Sequence, residues 1–196
     1  MITATKLFVF LLLFLSSQSE YVLEGSKTSY LQFRRWPGGL DTGLEFQFRT
    51  GQQDTLILYT DDIINCIFLE LKLVRGAVQL RYDFGLGPGV LRTTVQQYGD
   101  NNWHKVALNR GGLKSTLTVD SEIISQSINS SVLQSVEFSN TNMYIGGIPT
   151  WLAANSNDLS APSVVFEPTF QGGFKDLVYK GRSGDSKQKL VAYKVI

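Results

Sequence analysis

The sequence predicts an all-β domain, a jelly-roll β-sandwich of two antiparallel sheets. Three observations predict it. Aromatic residues make up 12% of the 196 positions and β-branched residues are frequent, as strands require. Glycine, at 18 residues, exceeds the usual share of about 7% and punctuates the chain at short intervals. Apolar and polar residues alternate with period two in one segment after another, and no long window keeps a helical period. A chain of about 150 residues or more buries some two-thirds of its unfolded surface, so one domain of this size needs no staples.

The elements follow in order. Leu44-Glu45-Phe46-Gln47-Phe48-Arg49 alternates cleanly, as a half-buried strand must. Leu56-Ile57-Leu58-Tyr59 is a short apolar strand ended by the turn-prone pair Asp61-Asp62. Phe68-Leu69-Glu70-Leu71-Lys72-Leu73 and Val78-Gln79-Leu80-Arg81-Tyr82 form a hairpin around Arg75-Gly76, with Glu70, like Glu45, expected to face solvent. Gly85-Leu86-Gly87-Pro88-Gly89 reads as a loop, since three glycines and a proline disfavour a strand interior. Later strands run from Trp103 to Leu108, over Thr116-Leu117-Thr118-Val119, over Met143-Tyr144-Ile145, and from Phe174 to Tyr179.

Residues 1–19 read as an export signal, leaving one domain over residues 22–196. Lys6 supplies the positive n-region, Leu7 to Leu15 is an unbroken apolar run, and Ser16-Ser17-Gln18-Ser19 offers small residues to a signal peptidase. A span needs roughly 20 apolar residues, more than this run holds, so no membrane span is predicted. Removing the signal takes Lys6 and leaves 17 basic against 17 acidic residues. The expected location is outside the cell or on its surface. Cys66 is the only cysteine, so no intrachain disulfide forms there. Its setting reads as a strand with a buried, inert thiol, and an intermolecular bridge is the alternative. Asn129-Ser130-Ser131 is an N-glycosylation sequon between apolar segments.

Charge and residue counts exclude whole classes. The basic residues form no face that could neutralise phosphates, which removes nucleic acid as a partner. The densest basic spots, Arg34-Arg35 and Lys187, Lys189 and Lys194, read as solvated residues. His104 is the only histidine and reads as a packed or hydrogen-bonded residue beside Trp103, so catalytic residues are absent from this reading. One histidine and one cysteine also leave a zinc site short of ligands. Calcium takes six to eight oxygens, and Asp61, Asp62 and the carbonyls of the 85–89 loop make it the one candidate cofactor.

Several segments together resemble the laminin G-like, or LNS, domain. They are Leu44 to Thr50, Leu56 to Tyr59, Phe68 to Gly76, Asn102 to Val106, Leu117 to Asp120, Tyr144 to Pro149 and Phe170 to Leu177. Phe33-Arg34-Arg35-Trp36 and the Cys66 to Leu71 strand after Asp61-Asp62 are similar to the first LNS domain of the α-neurexins. The resemblance implies a laminin G-like, concanavalin A-like sandwich serving extracellular adhesion or receptor binding, without catalysis. It implies rim loops that hold a protein ligand or a glycan, often around one Ca²⁺.

On this chain the metal candidates are Asp61, Asp62, Phe84 and Gly85, and the contact candidates are Gly87, Gly89, Trp151 and Leu152. Ile67 stands where calcium-binding members carry Asp, Pro168-Thr169 where they carry Asn, and Gly173 where many carry Cys. A carbohydrate or small apolar ligand is the alternative, with Trp36, Trp151 and Tyr98 as stacking candidates. The EGF repeats, stalk and span of full α-neurexins are missing from the sequence, so a fragment, short isoform or stand-alone relative is expected.

Overall fold

The computed structural model describes residues 20–34, 41–128, 138, 142–181, 188–192 and 194–195. The export segment 1–19, Trp36, Lys187 and the Asn129 sequon lie outside them. Among the described residues, strands dominate. They are β1 (Tyr21–Glu24), β2 (Leu31–Phe33), β3 (Asp41–Thr50), β4 (Thr55–Asp62), β5 (Ile67–Val74), β6 (Ala77–Asp83) and β7 (Pro88–Arg92). They continue with β8 (His104–Gly111), β9 (Lys114–Val119), β10 (Glu122–Ser127), β11 (Met143–Ile145), β12 (Gln171–Lys180), β13 (Gln188–Lys189) and β14 (Lys194–Val195).

Two antiparallel sheets result. One runs β1-β12-β3-β8-β9-β10 with β13 beside β12, and the other runs β14-β2-β11-β4-β5-β6-β7. Late strands β12 and β11 are inserted between early neighbours in their sheets, which is the crossing pattern of a jelly roll. Inward residues of both sheets form one core, with Phe46 stacked on Phe174 at 4.9 Å and Leu58, Leu71, Val106 and Ile145 fully enclosed. The alternation read in the sequence sets this register: Leu44, Phe46 and Phe48 are buried while Glu45 and Gln47 are partly exposed.

The second sheet also hides its outer face. Leu56, Tyr59, Phe68 and Tyr144 point away from the core and form a second apolar cluster. A strap over residues 150–167 covers them with Leu159, Ala161 and Val164; it contains helix α1 (Thr150–Ala154) and two 3₁₀ turns, Ser156–Asp158 and Pro162–Phe166. A sheet apolar on both faces must be covered on both, which gives this strap its position.

The structure corrects three expectations. Glu70 is 0% exposed instead of facing solvent, because its outer face lies beneath the strap, where Arg81 and Lys72 neutralise it at 3.0 and 3.3 Å. Pro88 and Gly89 belong to β7, an edge strand, where a missing N–H is tolerated. Cys66 is exposed rather than buried: it ends the 63–66 turn with φ of 52°, and β5 begins only at Ile67.

Candidate functional site

One end of the sandwich gathers most of the rim residues anticipated from sequence. Asp61 pairs with Phe68 and Phe68 with Asp83, so the ends of β4 and β6 flank the start of β5. Asp83 Oδ1 accepts the backbone N–H groups of Gly85 at 2.8 Å and Gly87 at 3.2 Å, which folds the 84–87 loop back on itself. Gly89 is buried against the Tyr82 ring, where a Cβ would meet Cζ at 2.3 Å. Phe84 is buried and lies under the Arg110 guanidinium, 4.2 Å from its ring centroid.

Trp151 and Leu152 sit elsewhere. Gly146, just ahead of α1, donates to Ile57 O near the start of β4, the opposite end of that strand from Asp61. Leu152 packs on the second cluster, whereas Trp151 is 60% exposed. Phe166, on the returning arm of the strap, is 86% exposed, a residue that the sequence reading missed because no periodicity marked this segment. Phe166 borders an open cleft of about 790 Å³ whose floor includes Leu56, Ile148, Ala153 and Val164.

The strap is pinned along its length. Ser160 N–H donates to Asp61 Oδ2 at 3.1 Å, Arg81 donates to Ser163 Oγ at 3.0 Å, and Lys72 pairs with Glu167. Burial pushes the Asp61 carboxyl above the usual carboxylate range, a rise that the Ser160 N–H opposes. The exposed aromatics therefore stand on a fixed support.

His104 is packed and hydrogen-bonded, as its sequence setting indicates. Its Nδ1 lies 2.9 Å from Asp120 Oδ2 and its Nε2 lies 3.0 Å from Asp100 Oδ1, with Tyr98 edge-on at 5.1 Å. Hydrogen bonds from Asn102, then from His104, lower the Asp100 carboxyl to about 2. Tyr98 is buried and its hydroxyl donates to Glu122 at 3.1 Å, so its ring is not available for stacking on a ligand.

Comparison with known proteins decides the family. The laminin G domain profile matches residues 48–182. The chain belongs to the laminin G domain family. It is 38% identical over 177 residues to Neurexin 1 of Drosophila melanogaster, covering 90% of this chain and 10% of that protein. It is 32% identical over 149 residues to Neurexin-2 of Mus musculus, covering 76% of this chain and 8% of that protein. The chain thus spans a tenth or less of these relatives' length. Among solved structures, mouse laminin alpha1 domains LG4-5 superpose with a TM-score of 0.72 at 16% identity, over 90% of this chain and 45% of that one.

As a laminin G domain, the chain invites a test of its rim for calcium, and the residues present do not fit the ion as a set. Asp61 and Asp62 are consecutive in β4 and project to opposite faces, as their partners Phe68 in the outer cluster and Ile67 in the core show. Asp62 accepts three bonds from its own turn, from Ile64 N, Asn65 N and Asn65 Nδ2, at 3.1, 3.2 and 2.9 Å. Ile67 and Pro168 lie at opposite ends of β4, since Pro168 O accepts from Leu56 N. Phe84 is covered by a guanidinium, which repels a second cation. Among the described residues, no group of three acidic, histidine or cysteine side chains is arranged to hold a metal ion.

Proposed function

We propose that this laminin G domain is an extracellular adhesion or receptor-binding module that holds a protein partner by surface contact and performs no catalysis. In this reading residues 1–19 direct export, residues 22–196 form the module, and Asn129 accepts a glycan. Similarity to the neurexins supports the location and the mode of action. Among the described residues no helix is long and apolar enough to cross a membrane.

The observation that carries the reading is the pair Trp151 and Phe166, both largely exposed on a strap tied to the sheet by one ion pair and two hydrogen bonds. Large aromatics held rigidly at a surface supply contact area at little entropic cost and recur as interface hot spots. The contact is calcium-independent, because the rim carboxylates are engaged inside the domain, Asp62 and Asp83 by their own turns and Asp61 by the strap. The test is a binding screen of the chain against cell-surface ectodomains, with and without EDTA. A partner retained in EDTA and lost on Trp151→Ala/Phe166→Ala is the expected result; binding that needs calcium or ignores both aromatics sinks this reading.

A glycan is the second reading, favoured by one observation: the exposed Phe166 ring borders a cleft that Lys27, Thr150 and Thr169 line with polar groups. A glycan array silent toward the native domain removes it.

A further inference from the structure

The cleft beside Phe166 is built from segments that hydrogen bonds hold together. Leu56 N–H donates to Pro168 O at 2.8 Å, Gln52 Nε2 to Thr169 O at 3.0 Å, and Thr169 Oγ1 to Gly25 O at 2.6 Å. The returning arm of the strap is thereby fixed to the start of β4 and to the turn after β1. Helix α1 contributes Thr150, Ala153 and Ala154, the i, i+3, i+4 spacing of one helical face, while Trp151 is not among the lining residues. Of the two exposed aromatics, only Phe166 belongs to the cleft.

The lining combines apolar surface with one uncompensated charge. Leu56, Ile148 and Val164 are buried and close the floor, Ala153 and Val165 are half-buried, and Phe166 stands 86% exposed at the rim. The charged lining residues are Lys27 and Glu167. Lys72 neutralises Glu167. Lys27 sits at the second position of a turn that Ser29 N–H closes onto Ser26 O at 2.9 Å, and no ion pair among the described residues includes it. An apolar recess with a free ammonium at its edge is complementary to an apolar group that carries a carboxylate. The cleft volume of about 790 Å³ exceeds a single side chain and leaves room for its chain neighbours.

We infer that this cleft docks an apolar side chain of a protein partner whose neighbouring acidic residue pairs with Lys27. The inference rests on the adhesion reading above and narrows it, giving the partner segment an apolar–acidic chemistry and giving Phe166 and Trp151 separate contacts.

The test titrates the whole chain, ¹³C-labelled at Ile, Val and Ala methyls, with 4-phenylbutyrate, 4-phenylbutanamide and 4-phenylbutylamine at one ionic strength. The Ile148, Ala153 and Val165 methyls are expected to move saturably with the carboxylate, several-fold more weakly with the amide, and most weakly with the amine. Lys27→Glu, on an exposed turn, is expected to reverse the order of acid and amine. Phe166→Ala is expected to weaken all three. The charge series on the native chain decides the matter even if a variant does not fold. Shifts that never saturate, an order indifferent to the charge at position 27, or saturation by methyl glucuronide alone, which gives the cleft to a glycan, overturn the inference. A partner that needs Trp151 and Phe166 yet binds Lys27→Glu unchanged also overturns it, and leaves the adhesion reading standing. Charge-ordered binding of the three probes without any partner in the ectodomain screen does the reverse: the ligand chemistry of the cleft holds and the adhesion reading falls.

Discussion

Lys72 of β5 closes an ion pair with Glu167 at the end of the strap, joining the outer face of the sheet to the segment that covers it. The same ammonium lies 3.3 Å from the fully buried Glu70. A three-residue chain of charge, extended by Arg81, thus fixes a strap whose short helices bring no capping side chains of their own.

Removing the central carboxylate is therefore costly. Glu70→Ala leaves Lys72 with only Glu167 and the partly exposed Arg81 with only Ser163, so the loss is expected to stay below the roughly 3–5 kcal/mol that a wholly uncompensated buried charge costs. Glu167→Ala, which leaves Lys72 paired with Glu70, costs less and loosens the strap first. Urea denaturation ranks the two, and limited proteolysis of Glu167→Ala is expected to cut within 150–167 before the sheets open.

The exposed aromatics behave in the opposite way. Trp151→Ala and Phe166→Ala remove surface side chains, and such changes usually fall within about 0.5 kcal/mol of wild-type stability. Loss of partner binding with an unchanged melting temperature is the expected pair of outcomes. A drop of many degrees shows instead that these rings support the fold.

Asp100 gives the acid limb a defined origin. Its carboxyl sits near 2 in the folded chain, held down by Asn102 and then His104, against about 3.9 when unfolded. A depressed carboxylate adds stability above its unfolded value, and that stability is lost as pH falls from about 4 to about 2. The side chain is 40% exposed, which keeps the effect small. Denaturation midpoints at pH 5 and pH 2.5 are expected to differ less in Asp100→Asn than in the wild type; equal differences rule out the proposed linkage.

How much of this was legible in the sequence follows from where periodicity acts. Period-two alternation marked β3 and β6, and bounding turns marked β4, β9 and β11, since each has one face on the core. Glu70 misled for the same reason: alternation placed it on the outer face, but nothing local showed that a strap 90 residues away would cover that face. The strap itself carries no helical period because its helices are single turns shaped by what they cover. Phe166 was invisible as a site candidate, as its exposure arises from tertiary packing alone. Cys66 looked like strand because its neighbours Ile67 and Phe68 are strand, yet its own φ of 52° belongs to the turn.

Gly89 tests the tight end of β7. A methyl there would sit 2.3 Å from Tyr82 Cζ and 2.5 Å from its hydroxyl, and Tyr82 is fully buried. Overpacking of this kind costs about 1–3 kcal/mol. The Tyr82 hydroxyl has no hydrogen-bond partner, so Tyr82→Phe removes an unsatisfied group and is expected to be neutral or stabilising. In Gly89→Ala, Tyr82→Phe then recovers part of the loss, because the hydroxyl is among the atoms the methyl would strike. A double-mutant cycle by thermal melting reads that coupling, and strict additivity shows that β7 moves away instead.

Cys66 makes the last prediction, because its thiol is exposed where a buried one was expected. The thiol is exposed at the tip of the β4–β5 hairpin, beside Ile63 and Ile64, which are also exposed. Its Sγ lies 3.5 Å from Ile63 O, a weak contact that does not shield it. A buried thiol reacts only when the fold opens, so its rate tracks unfolding. An exposed one reacts from the native state at a rate set by its thiolate fraction. Native protein treated with a maleimide at neutral pH is therefore expected to gain one adduct, confined to Cys66 and absent in Cys66→Ser, with no change in melting temperature. The rate is expected to be insensitive to sub-denaturing urea. A rate that climbs with urea places the sulfur inside the hairpin and removes the exposed turn described for residues 63–66.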